Sequence, residues 1–163
     1  MMIRKASEND IEGIRALAQA TLRQTMAATK IENPNYVDRM MERIYSEESL
    51  RRSIANDSTT LLLAEVDEKI VGLCQFGSPL MDDCEDLKEI HRLLVHPDYY
   101  RRGIGTQFIE TVEDDLSEDA DIARISVYVS PSDMARIRFY ATLGFHHEMT
   151  EDKDGEWYME LDL

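Results

Sequence analysis

Basic residues are scarce: 18 lysines and arginines stand against 33 aspartates and glutamates, a net charge of -15 over 163 residues. A surface this acidic has no broad electrostatic grip on phosphate backbones or anionic lipid, which argues against nucleic acid and membrane as partners. Cysteine is just as sparse. Cys74 and Cys84 fall outside any metal-ligand spacing, so no metal is expected, and a reducing compartment would keep both as thiols. No apolar run approaches membrane-spanning length, and Met1-Met2-Ile3-Arg4-Lys5 carries no signal-peptide pattern, so a cytoplasmic protein is expected. Repeats, low-complexity tracts and linkers are also missing. The length suits one domain with a real core.

What is present alternates between two periods. Ile3 sits in a short strand, and Ser7 with Asp10 resembles a capping box before Ile11, Ile14, Leu17 and Ala18 at helical spacing. Tyr36, Val37, Met40, Met41, Ile44 and Tyr45 recur every three or four residues, and Ser46 can cap a further helix carrying Leu50 and Ile54. These stripes read as core packing, with Tyr36 or Tyr45 alternatively lining an acceptor pocket. Thr59 to Val66 and Ile70 to Phe76 make a predicted hairpin, followed by an acidic loop of Asp82, Asp83, Glu85 and Asp86. Later, Ile125, Val127 and Val129 alternate as a strand. Ser130-Pro131 reads as a helix start, Gly144 as its C-cap, and residues 145–149 and 156–163 as a closing hairpin.

The chain is organised around residues 89–106. Ile90, Leu93, Leu94 and Val95 form an apolar strand-like run, His96-Pro97-Asp98 breaks it, and from Ile104 the apolar residues follow helical spacing at Phe108, Ile109, Val112 and Leu116. A strand therefore enters a helix through glycines. Gly103 and Gly105 present no Cβ, and the first-turn amides have no intrahelical acceptor, so the turn suits an anion such as a pyrophosphate. A dinucleotide fingerprint would need a third glycine where Phe108 stands, and no Gly-Lys-Ser/Thr loop follows. Ile90 and Leu94 fall on one parity of the strand and Leu93 and Val95 on the other, which predicts a bulge.

The run Arg101-Arg102-Gly103-Ile104-Gly105-Thr106 after a strand, followed by Arg138-Phe139-Tyr140-Ala141-Thr142-Leu143-Gly144-Phe145, resembles the GNAT superfamily of acyl-CoA-dependent N-acetyltransferases. The resemblance covers nearly the whole chain and implies a single GNAT domain over residues 1–163. Its implied fold is mixed α/β: a mostly antiparallel sheet of about six to seven strands, helices on both faces, and a splayed, bulged central strand. It implies acetyl-CoA as cosubstrate, with its pyrophosphate on Arg101, Arg102, Gly103, Ile104, Gly105 and Thr106 and its pantetheine arm on the backbone of Leu93, Leu94 and Val95. Tyr140, which also contacts the cofactor, would be the acid that protonates the leaving thiolate. Glu89 would be the base, with His91 competing for that role. Tyr100 stands where the family usually has Gln or Arg, which weakens or reshapes one cofactor contact. Asp133 replaces a frequent asparagine and reads as helix N-terminal charge.

The implied activity is acetyl transfer to a primary amine by direct attack. A small cationic amine is the expected acceptor, a polyamine by weak resemblance to prokaryotic spermidine/spermine acetyltransferases. The alternatives are the α-amine of a protein N-terminus and, from another class, a catalytically inactive acetyl-CoA-binding regulatory module. Acetylation of aminoacyl-tRNA would need basic surface that the chain lacks, and a homodimer is left open.

Overall fold

The computed structural model describes residues 1–81 and 83–163. Among these residues seven strands and five α-helices follow one another as β1 (Met2–Lys5), α1 (Ile11–Thr29), α2 (Tyr36–Arg43), α3 (Glu47–Ala55), β2 (Thr59–Val66), β3 (Lys69–Gly77), β4 (Leu87–Val95), α4 (Ile104–Ser117), β5 (Arg124–Val129), α5 (Met134–Thr142), β6 (His146–His147) and β7 (Trp157–Asp162). The strands form one mixed sheet in the order β1-β2-β3-β4-β5-β7-β6. Two compact units share the chain, residues 1–75 with 92–108 and residues 76–91 with 109–163.

In the first unit β1 pairs antiparallel with β2, Met2 opposite Glu65 through Lys5 opposite Leu62. The helical stripe read from the sequence becomes core: Ile11, Ile14, Leu17 and Ala18 of α1, joined by Leu22, pack with Leu50 of α3, Leu63, Leu73 and Leu94 of the strands, and Tyr45. None of α2 is buried, although Tyr36, Val37, Met40 and Met41 lie against this cluster. The opposite side of β3 receives α4. A Cβ added at Gly72 would stand 2.7 Å from the Phe108 ring and 3.2 Å from Ile104 Cγ2, so the missing side chain lets the start of α4 close onto the sheet. Helices therefore cover both faces of this unit. Cys74 is fully buried between them, and desolvation pushes its thiol up to about 12.

Before α1, Asp10 does more than cap. Its carboxylate accepts the Ser7 amide at 2.7 Å and the Ser7 hydroxyl at 3.0 Å, and takes two bonds from Arg4 at 2.8 and 2.9 Å. The Arg4 hydrogen bonds hold the Asp10 carboxyl down at about 2. A lowered carboxylate pKa stabilises the fold above its unfolded value near 4 and loses that contribution as pH falls toward about 2. Asp10→Asn is thus expected to cost roughly 1–2 kcal/mol at neutral pH and nothing near pH 2. Urea unfolding of both proteins across that range checks it; equal acid limbs would refute the assignment.

In the second unit β5 pairs in parallel with β4 over Leu87↔Arg124, Lys88↔Ile125 and Glu89↔Ser126, and antiparallel with β7 along all six residues. Two predicted boundaries shift. The helix read from Ser130-Pro131 begins at Met134, with the Asp133 carboxylate accepting the Arg136 amide at 3.0 Å. An aspartate cap displaces the serine one because Ser130 Oγ bonds Ser132 Oγ instead. The closing hairpin shortens to the pairs His146↔Glu160 and His147↔Met159, because Met149–Glu151 turn into a 3-10 helix.

Candidate functional site

The glycine turn is built by backbone that few residues tolerate. Arg101 has φ +63° and Gly103 φ +78°, and nothing lies within 4 Å of a Cβ placed on Gly103, so the turn is open on that side. Gly105 is helical and adds space rather than conformational freedom. From Ile104 the chain is helix, with the Gln107 amide donating to the Gly103 carbonyl at 3.0 Å. The preceding first-turn amides point out of the helix end, where its dipole is positive. Arg101 and Arg102 are exposed, and the Arg102 guanidinium lies 4.8 Å from the Tyr99 ring centroid. Leu93 and Val95 are half-buried while Leu94 is buried, so the end of β4 keeps an accessible edge. This first unit carries every residue expected to hold the cofactor except Tyr140. Its turn geometry fits a pyrophosphate.

Glu89, His91 and Tyr140 belong to the second unit. Glu89 is 8 % exposed, opposite fully buried Ser126 in the parallel ladder. Glu89 and the next residue of β4, Ile90, are both buried, and the parallel register with β5 runs without interruption from Leu87 to Glu89. His91 Nε2 sits 2.9 Å from the Ser78 carbonyl oxygen; a carbonyl only accepts, so Nε2 carries the proton and Nδ1 is the basic nitrogen. Tyr140 is 1 % exposed, its ring edge-on to Phe139 at 5.0 Å and Phe145 at 5.1 Å. Its carbonyl accepts the amides of Leu143 and Phe145, closing α5 before Gly144 at φ +96°.

Of the acidic loop, Asp83 and Glu85 are exposed and Asp82 lies outside the described residues. Asp86 is committed elsewhere. It accepts two bonds from Arg124 at 3.0 and 3.2 Å, which lower its pKa, and its carbonyl receives the Ala123 amide at 2.8 Å. Arg124 reaches Glu160 at 3.1 Å, and Glu160 accepts the Tyr158 hydroxyl at 2.7 Å.

Residues 24–145 match the acetyltransferase (GNAT) family. The chain belongs to that family. Among solved structures, the PaiA N-acetyltransferase from Thermoplasma acidophilum in complex with coenzyme A superposes on this GNAT chain with a TM-score of 0.85 at 24% identity, covering 99% of this chain and 98% of that one. The ribosomal-protein-S18-alanine N-acetyltransferase from Escherichia coli gives a TM-score of 0.69 at 19% identity, with 99% and 92% covered. A GNAT acetyltransferase from Staphylococcus aureus Mu50 gives 0.75 at 15% identity, with 99% and 98% covered. At such identities the likeness is one of fold. The described residues contain no group of ligands that could hold a metal ion and no helix long and apolar enough to cross a membrane. The sequence reading passed over Arg92 and Gln75, since neither stands in a motif; their buried polar atoms are visible only in three dimensions.

Proposed function

We propose that the chain transfers acetyl from acetyl-CoA to a primary amine by direct attack. The observation that carries this is the open, left-handed turn at Arg101–Gly103 feeding the N-terminus of a fourteen-residue helix. Amides of residues 102–106 bind the pyrophosphate, and Arg101 and Arg102 offset the repulsion that a protein of net charge -15 exerts on a polyanion. When bound, acetyl-CoA supplies an acyl thioester already activated for attack. Backbone at Leu93–Val95 holds the acyl arm, a main-chain amide there donating to the thioester oxygen. Glu89 takes the amine's proton, directly or through water, because an amine with a pKa near ~10 is mostly ammonium at neutral pH. The N–C bond forms as the C–S bond breaks, and Tyr140 returns a proton to the departing sulfur. Glu89 takes this role by its position in the family pattern, and His91, whose Nδ1 is the basic nitrogen, is the competing base.

The polyamine reading of the acceptor rests on a weak resemblance and on acidic charge, and of the acidic loop Asp86 is already spent on Arg124. The α-amine of a protein N-terminus is the other reading carried by the family. Turnover of spermidine against short peptides separates them, and a polyamine KM that climbs with salt would mark attraction by exposed carboxylates.

Acetyl-CoA at about 100 times its Kd is expected to stabilise the protein by ~2.7 kcal/mol, raising Tm by roughly 5–10 °C, with adenine doing far less. An unmoved melting curve for the folded protein would remove the cofactor assignment.

A further inference from the structure

Arg92 carries a charge that no carboxylate among the described residues balances. Its guanidinium lies 5.2 Å from the Tyr45 ring centroid, and its Nη1 is enclosed with no hydrogen-bond partner among the described residues. Burial opposes the charge, the Tyr45 side chain favours it, and no carboxylate among the described residues pairs with it. An arginine does not escape by losing its proton, so the cost persists in the folded chain. The residue as a whole is only half-buried, which leaves the guanidinium reachable from one side.

A second buried polar group belongs to the same compact unit. Gln75 is 5 % exposed and its Oε1 also has no partner among the described residues. Leu73 of β3 and Leu94 of β4 both pack into the cluster around Tyr45. Side chains alternate along a strand, so Gln75 shares a face with Leu73 and Arg92 shares one with Leu94. β3 and β4 are neighbours, and the His96 amide donates to the Val71 carbonyl at 2.8 Å. Counted back from that bond, Gln75 and Arg92 fall at about the same level. One unsatisfied acceptor and one unsatisfied donor therefore fall at one level of neighbouring strands, on the face that carries Leu73 and Leu94, within a single compact unit. Such a pair adds nothing to stability, whereas a ligand carrying the complementary groups would satisfy both.

We propose that Arg92 and Gln75 form the acceptor subsite for a primary amine that carries a carboxylate, an amino acid. The carboxylate pairs with the guanidinium, for which a planar fork is the matched partner, and an N–H of the same molecule donates to Gln75 Oε1. This rests on the acetyltransferase reading: Arg92 immediately precedes Leu93–Val95, the segment assigned to the acyl arm. A zwitterionic head also has no net charge for the acidic protein to repel.

Matched acceptors test it, each amine with and without its carboxylate: lysine against cadaverine, ornithine against putrescine, with acetyl-CoA held saturating. The amino acid is expected to exceed its decarboxylated counterpart in kcat/KM by on the order of tenfold or more, since a site built to bond a group rejects the analogue lacking it. Arg92→Gln should collapse that ratio toward one, mainly through KM, while the melting shift with acetyl-CoA persists and reports an intact fold. Arg92→Lys, which keeps the charge without the fork, should retain part of the preference. Diamines used as well as or better than amino acids, or a ratio that survives Arg92→Gln, would overturn the subsite. If acetyl-CoA shifts the melting curve but no amino acid is turned over, this proposal alone fails. If neither a shift nor turnover of any amine is seen, the acetyltransferase reading fails with it.

Discussion

Tyr140→Phe is expected to lower kcat by ~10²-fold or more, the usual worth of a positioned acid, while the KM for acetyl-CoA changes little. The substitution removes one oxygen from a ring that is 1 % exposed and leaves its edge-on contacts with Phe139 and Phe145 in place. Packing is therefore conserved, and a loss of rate reports chemistry. A tyrosine hydroxyl, ordinarily with a pKa of about 10, stays protonated at neutral pH and can give its proton to a departing thiolate. Steady-state kinetics with a good acceptor, alongside a melting curve, separates the cases. Wild-type turnover in the variant would leave Tyr140 a core residue and require another acid.

The second large effect is on stability. Arg124→Met should lower it by roughly 2–3 kcal/mol, a Tm decrease of about 5–10 °C, because a buried carboxylate loses its cation. Glu160 has only 10% of its side chain exposed and would keep just the Tyr158 hydroxyl, while Asp86 would be returned to solvent. Arg124 is 31% exposed at its side chain, so the figure sits below that for a fully enclosed pair. The double variant Arg124→Met, Glu160→Gln should recover most of the loss, since no charge is then stranded. If the double variant is as unstable as the single one, the penalty comes from the aliphatic stem of Arg124 and not from charge. The cluster bears on the site because Arg124 opens β5, whose next residues pair with the segment of β4 that ends at Glu89.

Local chemistry made much of this legible beforehand. A strand that enters a helix through Gly103 and Gly105 is a statement about backbone freedom and helix-end amides, both set by a few adjacent residues, and the observed φ of +78° at Gly103 lies where glycine is favoured. The stripe from Ile11 to Ala18 became core for a similar reason, since helical period alone decides which side chains share a face. The boundary that moved at Ser130 is one where short polar side chains compete to cap a helix and the winner depends on neighbours, and the one at Met149 moved because residues 149–151 turn into a 3-10 helix.

What Asp86 and Arg92 do could not be read from the chain in order. As a sequence, Asp86 is one more acid in a charged loop beside the presumed chemistry, and Arg92 is a polar interruption in an apolar strand. Asp86 meets Arg124 across 38 residues, and Arg92 meets the ring of Tyr45. Composition settled the acidic surface, and the spacing of glycines and aromatics settled the family resemblance, because each is a property of the chain taken residue by residue. Which charges are neutralised and which are left buried without a partner was decided by tertiary structure, since pairing depends on side chains brought together by strands far apart in sequence, and local period carries no record of it.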